Sequence, residues 1–462
     1  MHVICSDNDA RSAGTDLIAV AAGERASALG APERASADAD PVAIVYGEPS
    51  LAVVATAPGA AGLRNAAACA VRACRPGESV AWALDPTSPV CPRDQVHALA
   101  EGAVVGAYDA RHGADARAER MFMICGDGAV GLSDVAERAA LVARWCNLAR
   151  ELVDSPSNAM TPAELARRAE EIPLLQSEIV DPATAGLPAL AAVGGSSPNP
   201  PRLIVLRHRP GRAPGTPRLA LIGKGVTFDT GGYFLKAEPE IVRQKADMAG
   251  GAAVLAAAGA IAELGLPLSV TAVVPACENL LSGTAIRPSD VIATASGATV
   301  EVANPDAEGR LILADALWYA RNDGATHLVD LATLTAGVPD ALGDVHAGVF
   351  GTDPAWRDAV AGAGNAAGDP AWPLPLHERY ETWLRSDVAD LRNVAGRPLG
   401  FSIFAATFLA QFAGDGPWAH VDMLGTAFAG EDRGDAFGPG ATGYGVRMLV
   451  ELATRLSEPQ TA

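Results

Sequence analysis

From residue 201 onward the chain alternates strand-length apolar runs with longer stretches whose apolar residues return every three or four positions. The strand-like runs lie at 202–206, 218–223, 268–275, 299–302 and 327–331, and the helical ones at 251–264 and 311–320. A period near two predicts strands and a period near 3.6 predicts helices, so the order is strand and helix in alternation. Alternation of that kind implies right-handed crossovers and a mostly parallel central sheet with helices on both faces. The first 145 residues are patterned less regularly. Strand-like runs at 42–46, 51–55 and 121–125 stand among helical patterns at 60–75 and 92–106, and breakers at 32–41 and 111–117 predict loops. A longer helix, 133–153, leads into DSPSNAMTPAELARRAEEI. There Thr161, Pro162 and Glu164 supply the cap hydroxyl, the first-turn proline and the third-position acid of a helix start. A glycine-rich segment, 434–445, precedes a final amphipathic helix at 446–456.

At 462 residues the chain is long enough for two domains. The expected division is a smaller N-terminal α/β domain, 1–145, and a larger C-terminal α/β/α domain, 146–462, with the boundary at the connecting helix. Hydrophobic residues make up 49% of the chain and charged ones 19%, which is globular and gives ample core. The net charge of −19 argues against sequence-independent binding of nucleic acid, which depends on Lys and Arg neutralising phosphates. No run of about 20 apolar residues is present to span a bilayer, and the first residues carry charge where a signal peptide would be apolar. The expected location is the cytoplasm. Seven scattered cysteines without a CxxC pair indicate neither a disulfide framework nor a cysteine-ligated zinc.

Candidate chemistry concentrates in two stretches. The first, GKGVTFDTGGYFLK, leaves an apolar strand and carries Lys224, Asp229 and Lys236; the second, NPDAEGR, packs Asp306, Glu308 and Arg310 between a strand pattern and a helix pattern. Both fall just past strand ends, where an open α/β sheet places its sites. With Asp247, from QKADMAGGAAV, the set offers oxygen donors suited to hard divalent cations, including carboxylates able to bridge two of them. Lys224 is able to join as a ligand once burial and a neighbouring dication lower its pKa. Lys236 and Arg310 would stay cationic and stabilise the oxyanion formed in hydrolysis of a carbonyl compound.

Taken singly, each residue also has a plainer reading. An Asp or Lys in a glycine-rich turn is usually solvated, and NPDAEGR also fits a helix cap whose acids favour the helix dipole. A phosphate cradle fits worse, since neither G-x-x-x-x-G-K-[ST] nor G-x-G-x-x-G is present. His420, in WAHVDMLG, lies in an apolar strand-like run and reads as a core histidine. The plainer readings weaken jointly, because these charges cluster beside glycines in a region otherwise poor in charge.

GKGVTFDTGGYFLK, KADMAGGAAV, ENLLSGTAIRPSDVIATASGATVEVANPDAEGRLILADAL, DLATLT and WAHVDMLGTAF together resemble the leucyl aminopeptidase family, the M17 or cytosol aminopeptidases, over residues 146–450. The resemblance implies a two-metal exopeptidase. Lys224, Asp229, Asp247, Asp306 and Glu308 fall on the family's metal ligands, with Asp229 and Glu308 on the bridging positions, and Lys236 and Arg310 fall on its catalytic cations. It implies two divalent ions, Mn or Zn and in some settings Mg or Co, with a metal-bridged hydroxide as nucleophile and a bicarbonate on Arg310 as general base. A free amino terminus bound at one metal explains the exopeptidase habit, and the implied substrate is a peptide or dipeptide. The implied assembly is a homohexamer, with the variable N-terminal domain in an oligomer or entrance role.

Departures from the family pattern bear on the substrate. Pro305 replaces the threonine of NTDAEGR without touching the ligand residues. In the pocket for the first side chain, expected to involve Gln244, Thr333, Leu334, Ala336, Leu424 and Ala427, Gln244 stands where methionine is usual, Ala336 replaces a glycine, and Leu424 replaces a small residue. A glutamine amide buried there without a partner costs on the order of 1–3 kcal/mol, so the pocket reads as retuned toward small or polar side chains. Two alternatives remain beside housekeeping peptide turnover. One is a specialised amide or dipeptide hydrolase in a biosynthetic or conjugate-processing pathway; the other is a non-catalytic scaffold or DNA-binding member, which the complete site residues and the acidic charge disfavour.

Overall fold

The computed structural model describes residues 1–10, 13–21, 42–45, 50–54, 57–75, 77–110, 120–211, 217–397 and 399–458. The loops expected at 32–41 and 111–117, and the strand ends at Tyr46 and Ala55, lie outside these residues. Packing divides the chain into two compact units, Met1–Asn147 with Ala429–Gly440, and Leu148–Phe428 with Ala441–Ala462. Set against the expected break at 145/146, the added segment 429–440 is the difference of substance. It joins the first unit because the Arg72 guanidinium donates to the carbonyls of Ala436 and Asp435 at 2.8 and 2.9 Å, and Asn65 Oδ1 accepts from the Ala436 N–H.

The first unit is built on a six-stranded sheet of β1 (His2–Ser6), β2 (Leu17–Ala21), β3 (Val42–Val45), β4 (Ser50–Val54), β5 (Val80–Ala83) and β6 (Met121–Cys125). Their order is β1-β6-β5-β2-β4-β3, parallel throughout except for the antiparallel β3–β4 pair. Helices α1 (Gly59–Ala73) and α2 (Pro92–Gly106) bury Ala66, Ala70, Val96 and Leu99 with Trp82, Phe122 and Ile124 in the unit's main core. Helix α3 (Ser133–Asp154) carries the chain onward.

The second unit contains α4 (Pro162–Glu170), capped by Thr161 Oγ1 accepting from Glu164 N at 3.2 Å, then β7 (Gln176–Val180) and α5 (Pro188–Gly194). The strands β8 (Arg202–His208), β9 (Arg218–Gly223), β10 (Gly225–Asp229), β11 (Ser269–Asn279), β14 (His327–Ala332), β15 (Ala347–Gly351), β16 (Ala371–Pro373) and β18 (Trp418–Asp422) complete its main sheet with β7. Three short strands, β12 (Val291–Ala293), β13 (Thr299–Glu301) and β17 (Leu391–Arg392), form a sheet of their own. The order of the main sheet is β16-β15-β18-β14-β9-β11-β8-β7, with β10 also paired to β11. Neighbours β18, β14, β9 and β11 run parallel, whereas β8, β7 and the β15–β18 pair are antiparallel. The sheet is therefore parallel at its centre and mixed at its flanks.

Strand alternation distributes the core. Ala220, Ile222, Leu328 and Ala332 join a cluster with Leu311 and Leu317 of α7 (Gly309–Asn322) and Phe408 of α10 (Phe401–Ala410). The alternate residues face α6 (Ala249–Glu263), where Leu331 and Ala253 meet Gly445 at the start of α11 (Val446–Ser457). Short α8 (Gly337–Leu342) and α9 (Pro354–Ala367) complete the helices that bear on the argument. Helix α6, apolar on nearly every side, is buried from Ala249 to Ala262. His420 is fully buried, with Nδ1 2.5 Å from Asp330 Oδ1, and is a core residue as its setting implied.

Candidate metal-binding active site

Six chain segments converge at the carboxyl ends of β9, β10 and β14. Lys224 follows β9, with its N–H on the carbonyl of Leu331 at 3.0 Å and its own carbonyl accepting from Gly251 at 2.8 Å. This draws the start of α6 against the sheet, and only glycine fits at 250, where a Cβ would lie 2.1 Å from the Leu331 oxygen. Asp247 sits just before α6, after a short helical turn at Ile241–Ala246. Asp229 ends β10, Asp306 and Glu308 lie in the loop before α7, Arg310 is the second residue of α7, and Thr333 follows β14.

The side chains form two linked groups. Lys224 Nζ lies 2.8 Å from both Asp247 Oδ2 and Glu308 Oε1, and donates to the Thr333 carbonyl at 3.1 Å. Thr333 Oγ1 in turn donates to Asp247 Oδ1 at 2.8 Å. Lys236 Nζ lies 2.9 Å from Asp229 Oδ2 and in close contact with Asp306 Oδ1, so its ammonium sits between two carboxylates. One oxygen each from Asp229, Asp306 and Glu308 lie within 4.8 Å of one another.

Asp247 Oδ2 and Glu308 Oε1 are buried and share a single ammonium, Lys224 Nζ, at 2.8 Å from each. Four carboxylates share two ammonium groups in this cluster, and the excess negative charge is costly to bury unless further cations take it. Oxygen-rich donors clustered at this range fit divalent cations, and Lys224, Asp229, Asp247, Asp306 and Glu308 are the residues that would hold them.

Electrostatics follow the crowding. Burial, aided by the charges of Asp229 and Glu308, pushes the Asp306 carboxyl up to about 7, and burial also raises Asp247 and Glu308. Burial works against the Lys224 ammonium, yet Asp247 and Glu308 outweigh it and hold the pKa above its ordinary value. With the carboxylates alone Lys224 is thus a cation; a dication in the same cluster acts with the opposite sign, toward the neutral amine. Burial lowers Arg310 to about 10, which still leaves it charged at neutral pH.

Several supporting residues carry no mark in the sequence. Asn279, opposite Asp229 in the β10–β11 register, donates from Nδ2 to Asp229 Oδ1 at 2.8 Å and to the Pro305 carbonyl at 3.1 Å. Asn393 Oδ1 accepts from the N–H groups of Ala303 and Asn304, and its own carbonyl accepts from Arg310 at 2.6 Å. Both lie far in sequence from the loops they hold, and only their amide chemistry marks them.

Beside Asp247 and Thr333 opens a cavity of about 380 Å³. Of the residues expected to form the first-residue pocket, Gln244, Thr333, Leu424 and Ala427 line it, joined by Pro239, Glu240, Arg243, Ala246 and Phe428. Leu334 and Ala336 are not brought to its walls: Leu334 packs against the main core, and Ala336 is exposed at the start of α8. Gln244 also differs from expectation. It is only half-buried, and its Nε2 donates to the Glu240 carbonyl at 3.3 Å, so the amide has a partner.

Fold and site together define an α/β protein with a carboxylate and lysine cluster, suited to divalent cations, at the ends of its central parallel strands. Residues 147–450 match the model of the cytosol aminopeptidase family, catalytic domain, and the chain belongs to that family of peptidases. It is 41% identical over 403 residues to a probable cytosol aminopeptidase of Solibacter usitatus, covering 85% of this chain and 83% of that protein. With a probable cytosol aminopeptidase of Bacillus subtilis it is 39% identical over 382 residues, 80% and 76% of the two chains. Among solved structures, the bottromycin maturation enzyme BotP in complex with Mn aligns with a TM-score of 0.86 at 33% identity, covering 96% of this chain and 100% of that one.

Proposed function

We propose that this peptidase is a two-metal aminopeptidase that removes the first residue from peptides or dipeptides, with a first-residue pocket suited to small or polar side chains. The observation that carries the reading is the clustering of one oxygen each from Asp229, Asp306 and Glu308 within 4.8 Å of one another, beside the buried Asp247 carboxylate. Lys224, Asp229, Asp247, Asp306 and Glu308 would hold the ions. When bound, the ions would polarise the scissile carbonyl and lower the pKa of water.

The remaining steps fall to the chain. Lys236 and Arg310 carry positive charge to the oxyanion that forms as the peptide carbonyl becomes tetrahedral, where a pre-aimed cation acts more strongly than in water. Arg310 would also hold bicarbonate; its buried Nε has no protein partner and is available to an anion. Asn279 and Asn393 keep Asp229 and the 303–310 loop in place, so the ligands need not reorganise. The Mn complex of BotP supports manganese as one metal this site accepts.

The cytoplasm and a homohexamer complete the reading and rest on the family resemblance. A second reading, a specialised peptide-processing enzyme, is favoured by the likeness to a maturation enzyme and by the polar residues Gln244, Arg243 and Glu240 at the cavity wall. The test compares peptides with free and acetylated amino termini, before and after chelation. Hydrolysis of free-amino peptides alone, lost with chelator and restored by Mn or Zn, is expected; full activity in prolonged excess chelator overturns the proposal. A panel of first residues separates broad turnover from a single preferred sequence.

A further inference from the structure

Where the parallel pairing of β14 and β18 ends, the chain after β14 must find new acceptors for its N–H groups. Ala332 and Asp422 are the last paired residues, and one further bond, Met423 N–H to the Ala332 carbonyl at 2.9 Å, closes the ladder. Beyond it the Asp422 carboxylate replaces the missing carbonyls. Oδ1 accepts from the N–H groups of Leu334 at 3.3 Å, Thr335 at 3.4 Å and Leu424 at 3.4 Å. Oδ2 accepts from Thr335 Oγ1 at 2.5 Å, and that hydroxyl also meets Ser402 Oγ at 2.7 Å. Asp422 is fully buried, and its setting is stiff: Asp330, in the same layer, is held by Trp418 Nε1 at 2.7 Å and by His420.

The two segments that meet on this carboxylate both line one cavity. Thr333, immediately before the anchored N–H groups, lines it and ties Lys224 to Asp247, and Leu424 lines it from the β18 side. We propose that Asp422, seated by Thr335, is a positioning residue that sets first-residue selectivity by fixing the Thr333 and Leu424 walls relative to each other. The side chain of Asp422 is absent from the cavity lining, so it acts through the walls it holds. This rests on reading the cavity as the first-residue pocket. A carboxylate is suited to the task because one group with several lone pairs accepts from three backbone donors and a hydroxyl at once.

The test uses the metal-loaded full chain and the ratio of kcat/KM for leucine and alanine p-nitroanilides, which does not depend on the fraction of folded enzyme. Asp422→Asn cannot accept from all four donors, and Thr335→Val removes the hydroxyl while keeping the shape. Both are expected to shift the ratio by roughly 10-fold, the scale of a pocket wall misplaced by about one methylene. Thr335→Ser, which restores the hydroxyl, is expected to return the wild-type ratio. If Asp422→Asn fails to fold, Thr335→Val against Thr335→Ser carries the test alone. An unchanged ratio in Thr335→Val, whatever its Tm, overturns the inference when Gln244→Met moves the ratio. If Gln244→Met leaves it unmoved as well, the pocket reading itself has failed.

Discussion

Two glycines beside the candidate site separate damage to the site from damage to the fold. A Cβ built at Gly309 would lie 2.7, 2.8 and 2.9 Å from Cε, Nζ and Cδ of Lys224. All three atoms belong to the far end of a flexible side chain, so Gly309→Ala is relieved by swinging Lys224 away from Asp247 and Glu308. Overpacking costs about 1–3 kcal/mol, and replacing glycine by alanine in a helix returns about 0.5–1 kcal/mol. The net loss of stability is then at most about 2.5 kcal/mol, and the fold survives. Its effect on the cluster is larger in consequence, since a displaced ligand or its support lowers metal affinity about 10- to 100-fold. At Gly250 the obstacle is the backbone oxygen of Leu331 at 2.1 Å, which cannot swing aside. Gly250→Ala must push α6 off β14 and is expected to cost ~3 kcal/mol or more. Thermal unfolding and calorimetric titration of the metal-free proteins with Mn(II) measure both quantities. Wild-type Mn affinity in Gly309→Ala, or unfolding as severe as that of Gly250→Ala, would refute the reasoning.

Lys236→Ala is expected to keep its metals and lose roughly 10²–10³ in kcat, as when one oxyanion donor is removed; loss of metal with an unchanged rate per bound ion would mean the two lysines have exchanged roles. Gln244→Met is expected to move preference toward leucine by up to roughly 10-fold with metal content unchanged, measured on leucine, alanine and serine anilides. Asp315, whose carboxyl accepts from the N–H groups of Ala189, Leu190 and Ala295, is pushed up to about 6 by burial in spite of those bonds. A raised carboxyl pKa means the folded state holds the proton longer, so this group favours folding below its ordinary value and loses that contribution as pH rises toward 6. Relative to wild type, Asp315→Asn is expected to gain on the order of 2–3 kcal/mol between pH 4 and pH 7 in denaturant titrations, whatever its offset at pH 4; a constant difference across that range would contradict the assignment.

Much of the catalytic unit is legible in the chain because burial imposes periodicity. Leu219 to Ile222 must satisfy both faces of a covered sheet, and α7 and α11 must each present an apolar side, so their patterns survive translation into structure. The strands of the first unit were harder: β1 is largely exposed or half-buried and β5 is only four residues long, so neither sustains a period. Residues 429–440 go with the first unit through contacts from Arg72 and Asn65 and through the burial of Ala436 among Ala68, Val104 and Ala143, which no local pattern encodes. In the site, the charged residues stand out because charge is rare around them, whereas Asn279, Asn393 and Asp422 are polar residues whose partners, Leu424 apart, lie 26 to 90 positions away. The pocket shows the same limit from the other side. Residue type alone made Gln244 a buried amide without a partner, but the turn at Ile241–Ala246 brings the Glu240 carbonyl within reach and leaves the side chain half-exposed. The desolvation penalty against leucine therefore shrinks without vanishing, and on the proposed reading of the pocket the rest of the selectivity comes from the spacing of Thr333 and Leu424, the distance assigned to Asp422.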